Sequence, residues 1–182
     1  MTTSATAKTV WNFDASHSEI GFKVKHLMIS NVSGTFGKFD VKAETEGEDF
    51  STAQIAFSAD INSLTTGNEQ RDGHLKAADF FDAETHPEMV FNSTNLEKVD
   101  ETNYNLTGNL SIKGITAPVT LKVEYGGTGI DPWGNQKIGF TLSGKINRND
   151  WQLSWNAPLE TGGVLVGEEV KIYAELQFSK TI

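Results

Sequence analysis

The chain is 182 residues long, a length that a single domain accounts for, and its 37% hydrophobic residues suffice for a packed core while 17 Gly and 4 Pro are too few for a collagen-like or low-complexity chain. Lys and Arg number 15 against 24 Asp and Glu, a net charge of −9, which argues against sequence-independent nucleic-acid binding and against docking on anionic lipid through a polybasic patch. There are 0 Cys, hence no disulfide, no thiol catalysis and no Cys-containing zinc site, and no run approaches the ~18 apolar residues of a membrane-spanning helix.

Met1 to Lys8 are Thr/Ala/Ser-rich, without the basic start and apolar stretch of a secretory signal. Residues 1–10 are therefore expected to be a disordered tail, residues 11–182 a single domain, and the protein cytoplasmic. From Ile20 the dominant period is two. Ile20, Phe22, Val24 and His26 fall on one face, Glu19, Gly21, Lys23 and Lys25 on the other, which is the pattern of a half-buried strand. A segment around Phe36, Phe39 and Val41 follows, then Ile55, Phe57, Ala59 and Ile61. Thr66-Gly67-Asn68-Glu69 has capping-box spacing, so Gln70 to Ala78 are expected to form about two helical turns. His86-Pro87 returns the chain to an extended path. The alternation resumes in Met89 and Phe91, in Tyr104, Leu106, Gly108, Leu110 and Ile112, and in Val119, Leu121, Val123 and Tyr125. It continues in Ile138, Phe140, Leu142, Gly144 and Ile146, and closes with Val170, Ile172, Ala174, Leu176 and Phe178. A further strand is expected around Trp151, Leu153 and Trp155, and turns at Asn31 to Gly34, Lys113-Gly114, Gly126-Gly127 and Asp131 to Asn135.

The fold class is all-β, because antiparallel strands with one apolar face must stack as a sandwich or close as a barrel. The expected strands, ~9–12 residues against the usual ~5–6, favour an eight-stranded antiparallel barrel with one or two short helices. Such a barrel is filled by side chains or holds one slender ligand.

Chemistry has few footholds. His17, His26, His74 and His86 are the only imidazoles, and Asp72, His74, Asp79, Asp82 and His86 cluster in sequence. Asp72 and His74 are two apart, hence on different helical faces, so no metal site is expected. No nucleophile elbow, phosphate loop or nicotinamide fingerprint is present, so no catalytic residue is assigned. His26 shares the inward parity and is read either as a hydrogen-bonded core histidine or as a polar contact for a ligand head group. The apolar face, drawing on 11 Phe, is either a packed core or the wall of a lumen for a long apolar ligand. At ~0.8 kcal/mol per buried CH₂, such a ligand needs little polar recognition.

Several motifs in order resemble the YceI-like family. They are His17-Ser18-Glu19-Ile20-Gly21-Phe22-Lys23-Val24-Lys25-His26 with Gly34-Thr35-Phe36-Gly37-Lys38-Phe39, and Asn68-Glu69-Gln70-Arg71-Asp72-Gly73-His74-Leu75-Lys76 with Asp79-Phe80-Phe81-Asp82. Leu106 to Thr116, Ile146-Asn147-Arg148-Asn149-Asp150-Trp151 and Val166 to Ile172 complete a match that spans Trp11 to Phe178. The resemblance implies a lipocalin-like barrel whose elongated pocket binds a polyisoprenoid lipid, such as an isoprenoid quinone or its precursor. It also implies a homodimer, and many family members are periplasmic or secreted. The Gly-x-Trp of true lipocalins is absent, and Gln152 stands where many family members have Gly.

The expected function is a carrier for a long-chain isoprenoid, with no other cofactor, no nucleic acid and no integral membrane segment. The parity places Phe22, Val24, Phe57, Ile61, Phe91, Leu110, Leu121, Val123, Phe140 and Ile172 in the lumen, with His26 as the polar contact. Arg148 is expected to form an ion pair with a nearby acid and fix a loop. Two other classes stay open. One is an enzyme acting on an isoprenoid or ester at Asp72, His74 and His86. The other is a β-sandwich carbohydrate-binding module with Trp133, Trp151 and Trp155 as stacking platforms.

Overall fold

In a computed structural model of the chain, residues 8–27, 29–47, 49–156 and 165–181 are described. The first strands are β1 (Lys8–Phe13), β2 (Glu19–His26), β3 (Ser30–Phe36), β4 (Phe39–Glu46), β5 (Asp49–Asp60) and β6 (Leu64–Thr65). Helix α1 (Glu69–Lys76) precedes β7 (Glu88–Lys98), β8 (Asn103–Ile112), β9 (Ile115–Ile130), β10 (Asn135–Asn147) and β11 (Val166–Thr181). Every strand pairing is antiparallel. β1 lies between β4, with Trp11 opposite Ala43, and β11, with Phe13 opposite Phe178. The order β1-β4-β5-β7-β8-β9-β10-β11 thus returns on itself as a closed barrel of eight strands. β2 lies on β11, β3 on β2 and β6 on β3, so these three extend the same wall at the end where His26 faces Val166.

The alternation builds this wall directly. In β8, Tyr104, Leu106, Gly108, Leu110 and Ile112 are buried while the residues between them face outward. Closure turns the inward row of each strand toward the core, so each large apolar side chain fully buried there contributes ~1.5–3 kcal/mol. Two inward glycines make room for rings. A Cβ on Gly34 would lie 2.4 Å from Phe22 Cζ, and one on Gly108 would lie 2.4 Å from both Phe91 Cζ and the Asn92 carbonyl oxygen.

Several expectations are corrected. β1 begins at Lys8, opposite Glu46, inside the stretch expected as a tail; residues 1–7 lie outside the described residues. Asn31 to Gly34 belong to β3, because Gly34 serves ring packing and the chain turns earlier, at Leu27 (φ 55°). Gly126-Gly127 lie within β9, where the register shifts opposite Gly139 and Phe140 as in a bulge. Lys113 and Gly114 do turn, both with positive φ (54° and 75°), as a tight hairpin requires. No strand forms around Trp151, Leu153 and Trp155. Arg148–Trp151 is a 3-10 turn, capped by Asn147 and ended by Gln152 in the left-handed region. The helix starts at Glu69, not Gln70, and its N-cap is Asn68, whose side chain accepts from Arg71 N at 2.9 Å. Thr66 instead donates to Asp72 Oδ1 through its hydroxyl (2.5 Å) and its amide (2.8 Å).

Between β1 and β2 the chain makes a 3-10 turn at Ala15–His17, capped by Asp14. Ser16 donates to Asp14 Oδ1 from Oγ (2.7 Å) and N (3.2 Å), His17 Nδ1 lies 2.8 Å from Oδ2 and Lys137 Nζ lies 3.5 Å from it. The Ser16 hydrogen bond, with those of His17 and Lys137 and against some desolvation, holds the Asp14 carboxyl far below the usual carboxylate range.

Two outcomes follow. Gly108→Ala is expected to cost about 1–3 kcal/mol in urea denaturation, because its methyl must displace strand backbone; unchanged stability would contradict the packing described. Asp14→Asn is expected to be less stable than the parent at neutral pH. Because the folded-state pKa is depressed, the gap should be full above the unfolded-state pKa of about 3.9 and vanish as pH falls through the folded value. Denaturation midpoints of both proteins across that range check this, and a gap that persists or widens in acid would refute it.

Candidate functional site

The barrel is not filled by its own side chains. A chamber of about 310 Å³ occupies the end bounded by β2, β3 and α1, and a second of about 70 Å³ lies deeper, beside Trp11, Phe50, Val123, Phe140 and Phe178. The two share Val41, Ile55, Leu106, Leu142 and Leu176, which stand between them. Around the smaller chamber the rings touch in series. Trp11 packs on Phe50 (5.5 Å), Phe50 on Phe140 (5.6 Å), Phe140 on Phe178 (6.1 Å) and Phe178 on Phe13 (5.8 Å). The polar groups on that wall satisfy each other, since Trp11 Nε1 donates to Thr45 Oγ1, which donates to the Gly47 carbonyl.

The larger chamber is roofed by Arg71, His74 and Leu75 of α1 and by Phe80 and Phe81. The roof is tied down locally. Phe81 N donates to the Leu75 carbonyl and Ala83 N to that of Lys76, while Asp82 takes a positive φ (51°) that turns the chain back. Phe81 packs edge-on against Phe36 (6.4 Å), and His74 stands edge-on to Phe80 (5.1 Å) and Trp155 (4.6 Å).

Arg148 also lines this chamber and is 4% exposed. Its Nε donates to the Gly167 carbonyl (2.8 Å), Nη1 to the carbonyls of Leu153 and Trp155, and Nη2 to that of Val166 (3.2 Å). No ion pair joins it to an acid among the described residues, which corrects the expected role. It gathers backbone from two stretches, Leu153 and Trp155 with Val166 and Gly167; residues 157–164 lie outside the described residues. Burial pushes the guanidinium pKa down, opposed by the charge of Glu168.

Of the residues expected in the lumen, Phe22, Val24, His26, Phe57, Phe91, Leu110, Leu121 and Ile172 line the larger chamber, and Val123 and Phe140 the smaller. Ile61 lines neither. β5 ends at Asp60, whose carboxylate accepts from Asn62 N (2.9 Å), and the 3-10 turn that follows tucks Ile61 into the core at 1% exposure. Of the roof, sequence reasoning singled out only His74, and for the enzyme alternative; Arg71, Leu75, Phe80, Phe81 and Arg148 come from a helix and turns with no strand parity to place them at the chamber.

The residues of the expected alternatives stand apart. Although burial pushes the Asp72 carboxyl up, the hydrogen bonds from Thr66 hold it below its usual value. His74 Nε2 lies 3.2 Å from Asp79 Oδ2, and His86 packs against Gly114, where a Cβ would come within 2.9 Å of its ring. Among the described residues no three His, Asp or Glu side chains group as a metal site requires. Trp133 is 83% exposed, Trp151 is 1% exposed and donates to the Leu110 carbonyl (2.8 Å), and Trp155 packs on His74, so they share no platform. The closed barrel replaces the β-sandwich.

A closed antiparallel barrel around an apolar bore is the architecture of the lipocalin-like proteins. The YceI-like domain matches residues 11–178, and the chain belongs to that family. It is 40% identical over 172 residues to a UPF0312 protein of Staphylococcus aureus (strain N315), covering 94% of this chain and 98% of that one. A UPF0312 protein of Staphylococcus epidermidis is 41% identical over 173 residues, with 94% and 98% covered. Among solved structures, the Campylobacter jejuni YCEI protein superposes with a TM-score of 0.74 at 31% identity, covering 93% of this chain and 96% of that one. Two others share the fold at lower identity. Burkholderia cenocepacia BcnA has a TM-score of 0.78 at 24% (91% and 99% covered), and a polyisoprenoid binding domain from Saccharophagus degradans 0.65 at 14% (92% and 97%).

Arg148→Met should lower stability by roughly 3 kcal/mol, since it strands four carbonyls that the guanidinium satisfies. Urea unfolding of the purified variant measures this, and a loss below about 1 kcal/mol would contradict the anchoring role.

Proposed function

We propose that the bore holds one long-chain polyisoprenoid lipid, an isoprenoid quinone or its precursor, and that the protein carries it without chemical change. The observation that supports this reading most is the wall itself. Phe, Leu, Ile and Val dominate it, and among the described residues no carboxylate, amide or hydroxyl side chain lines the larger chamber. A flexible methyl-branched chain fits such a wall, because burial at ~0.8 kcal/mol per CH₂ offsets the cost of ordering it. The polyisoprenoid binding named for the Saccharophagus degradans domain of the same fold agrees with it. An enzymatic reading has no comparable support, since Asp72, His74 and His86 are engaged separately.

Mass spectrometry of a solvent extract of the purified protein should detect a prenyl lipid, and stripped protein should take up an added prenyl alcohol. Phe57→Asp places a charge in the wall and should abolish uptake, while Leu142→Trp should fill the space where the two chambers adjoin and weaken binding of longer chains most. An empty extract together with no uptake would refute the proposal.

A further inference from the structure

We infer that the turn between β2 and β3 docks the protein on a lipid bilayer, where its two apolar side chains insert and a guest passes between membrane and bore. The passage rests on the reading of the bore as a prenyl-binding site; the docking rests on the surface of the turn. Leu27 is 37% exposed there and Ile29 83%. The other exposed large apolar side chains among the described residues, Val10, Val99, Ile130 and Trp133, lie at the opposite end, where β4, β7, β9 and β11 finish.

The turn is fastened to the chamber. Leu27 N donates to the Leu165 carbonyl (2.8 Å) and Ile29 N to the His26 carbonyl (3.2 Å). His26 and Leu165 line the larger chamber, so the exposed tip continues its wall outward. Leu27 takes φ 55°, a left-handed conformation that Asn or Gly adopts more readily than Leu. In water the tip leaves apolar surface unburied on a backbone that disfavours Leu. Entry into the headgroup boundary of a bilayer buries that surface.

Charge clears the approach. Between Glu19 and Asp40 the chain carries no acid, although it holds 24 Asp and Glu, while Lys23 and Lys25 are exposed on β2 behind the tip. Two lysines fall short of the clusters of about 4–8 that hold a protein on anionic lipid by charge, so insertion carries the docking and the lysines meet the headgroups. The size of the tip selects a bilayer over a protein partner. A stable protein interface covers about 800 Å² per partner, far more than two side chains present, whereas interfacial binding needs only apolar groups set about 5–10 Å deep.

The test is flotation of the protein with vesicles of phosphatidylcholine containing a minor share of phosphatidylglycerol. Leu27→Asn with Ile29→Ser removes the apolar tip, and Asn keeps the left-handed turn, so circular dichroism should show the parent fold. This variant should partition onto vesicles roughly tenfold less than the parent and draw a prenyl alcohol out of them correspondingly more slowly. It should take up the same alcohol from dilute ethanol as the parent does. Parent partition should survive moderate salt, because insertion rather than charge drives it, and Ile130→Ser with Trp133→Ser at the opposite end should leave it unchanged. A parent that does not float, equal flotation of parent and Leu27→Asn/Ile29→Ser, or loss in the Ile130/Trp133 variant instead would overturn the docking, while uptake from ethanol keeps the prenyl reading standing. Flotation without uptake from either source would overturn the passage and the prenyl reading together and leave the docking in place.

Discussion

The pairing of β1 with β11, Asn12 against Ser179 and Phe13 against Phe178, joins the last strand to the first. Once it forms, the sheet has no free edge across its eight-strand ring, and the inward face of every strand turns toward an apolar interior. Each inward position must then be apolar, be a glycine that accommodates a neighbouring ring, or bring its own hydrogen-bond partners. Thr45, which takes the Trp11 indole and gives to the Gly47 carbonyl, shows the third solution. Leu106, Leu110 and Ile112 show the first, and Gly108 beneath Phe91 the second.

The same closure explains why the bore stays hollow toward one end. Aromatic residues crowd the half near Trp11 and Phe178, where ring meets ring and only a small void remains. Toward β2 and β3 the inward residues are mostly aliphatic, and the wall is completed by α1 and the 3-10 turn at Arg148 rather than by continuous strand pairing. Arg148 is the hinge-pin of that end. Its guanidinium holds Leu153, Trp155, Val166 and Gly167 together while facing the chamber. A single side chain thus ties that end of the structure together.

Much of this was legible in the sequence, because a period of two maps each residue to a face with no further information. β7 to β11 could be read off their alternation, and with them most of the wall. Reading failed where the chain leaves that period. Parity carried Ile61 into the lumen, but the Asp60 cap ends β5 one residue before it. Gly34 and Gly126 looked like turns because glycine breaks strands, whereas packing under Phe22 and a bulge opposite Gly139 keep them in place. Thr66 had the spacing of a helix cap, but Asp72 captured it and left the cap to Asn68. His26 followed from strand parity, but Arg71, His74 and Arg148, which share its chamber, come from α1 and a 3-10 turn and meet it only in the closed barrel.

The central claim is that this bore is built for a guest. The most direct measurement is the electron density inside the barrel in crystals of protein purified without organic solvent. The account predicts a continuous tube of density running from the Arg148 end past Leu142 toward Phe140. A bore closed by rotated Phe57, Leu142 and Phe140 side chains, or holding only separate water peaks, would contradict it.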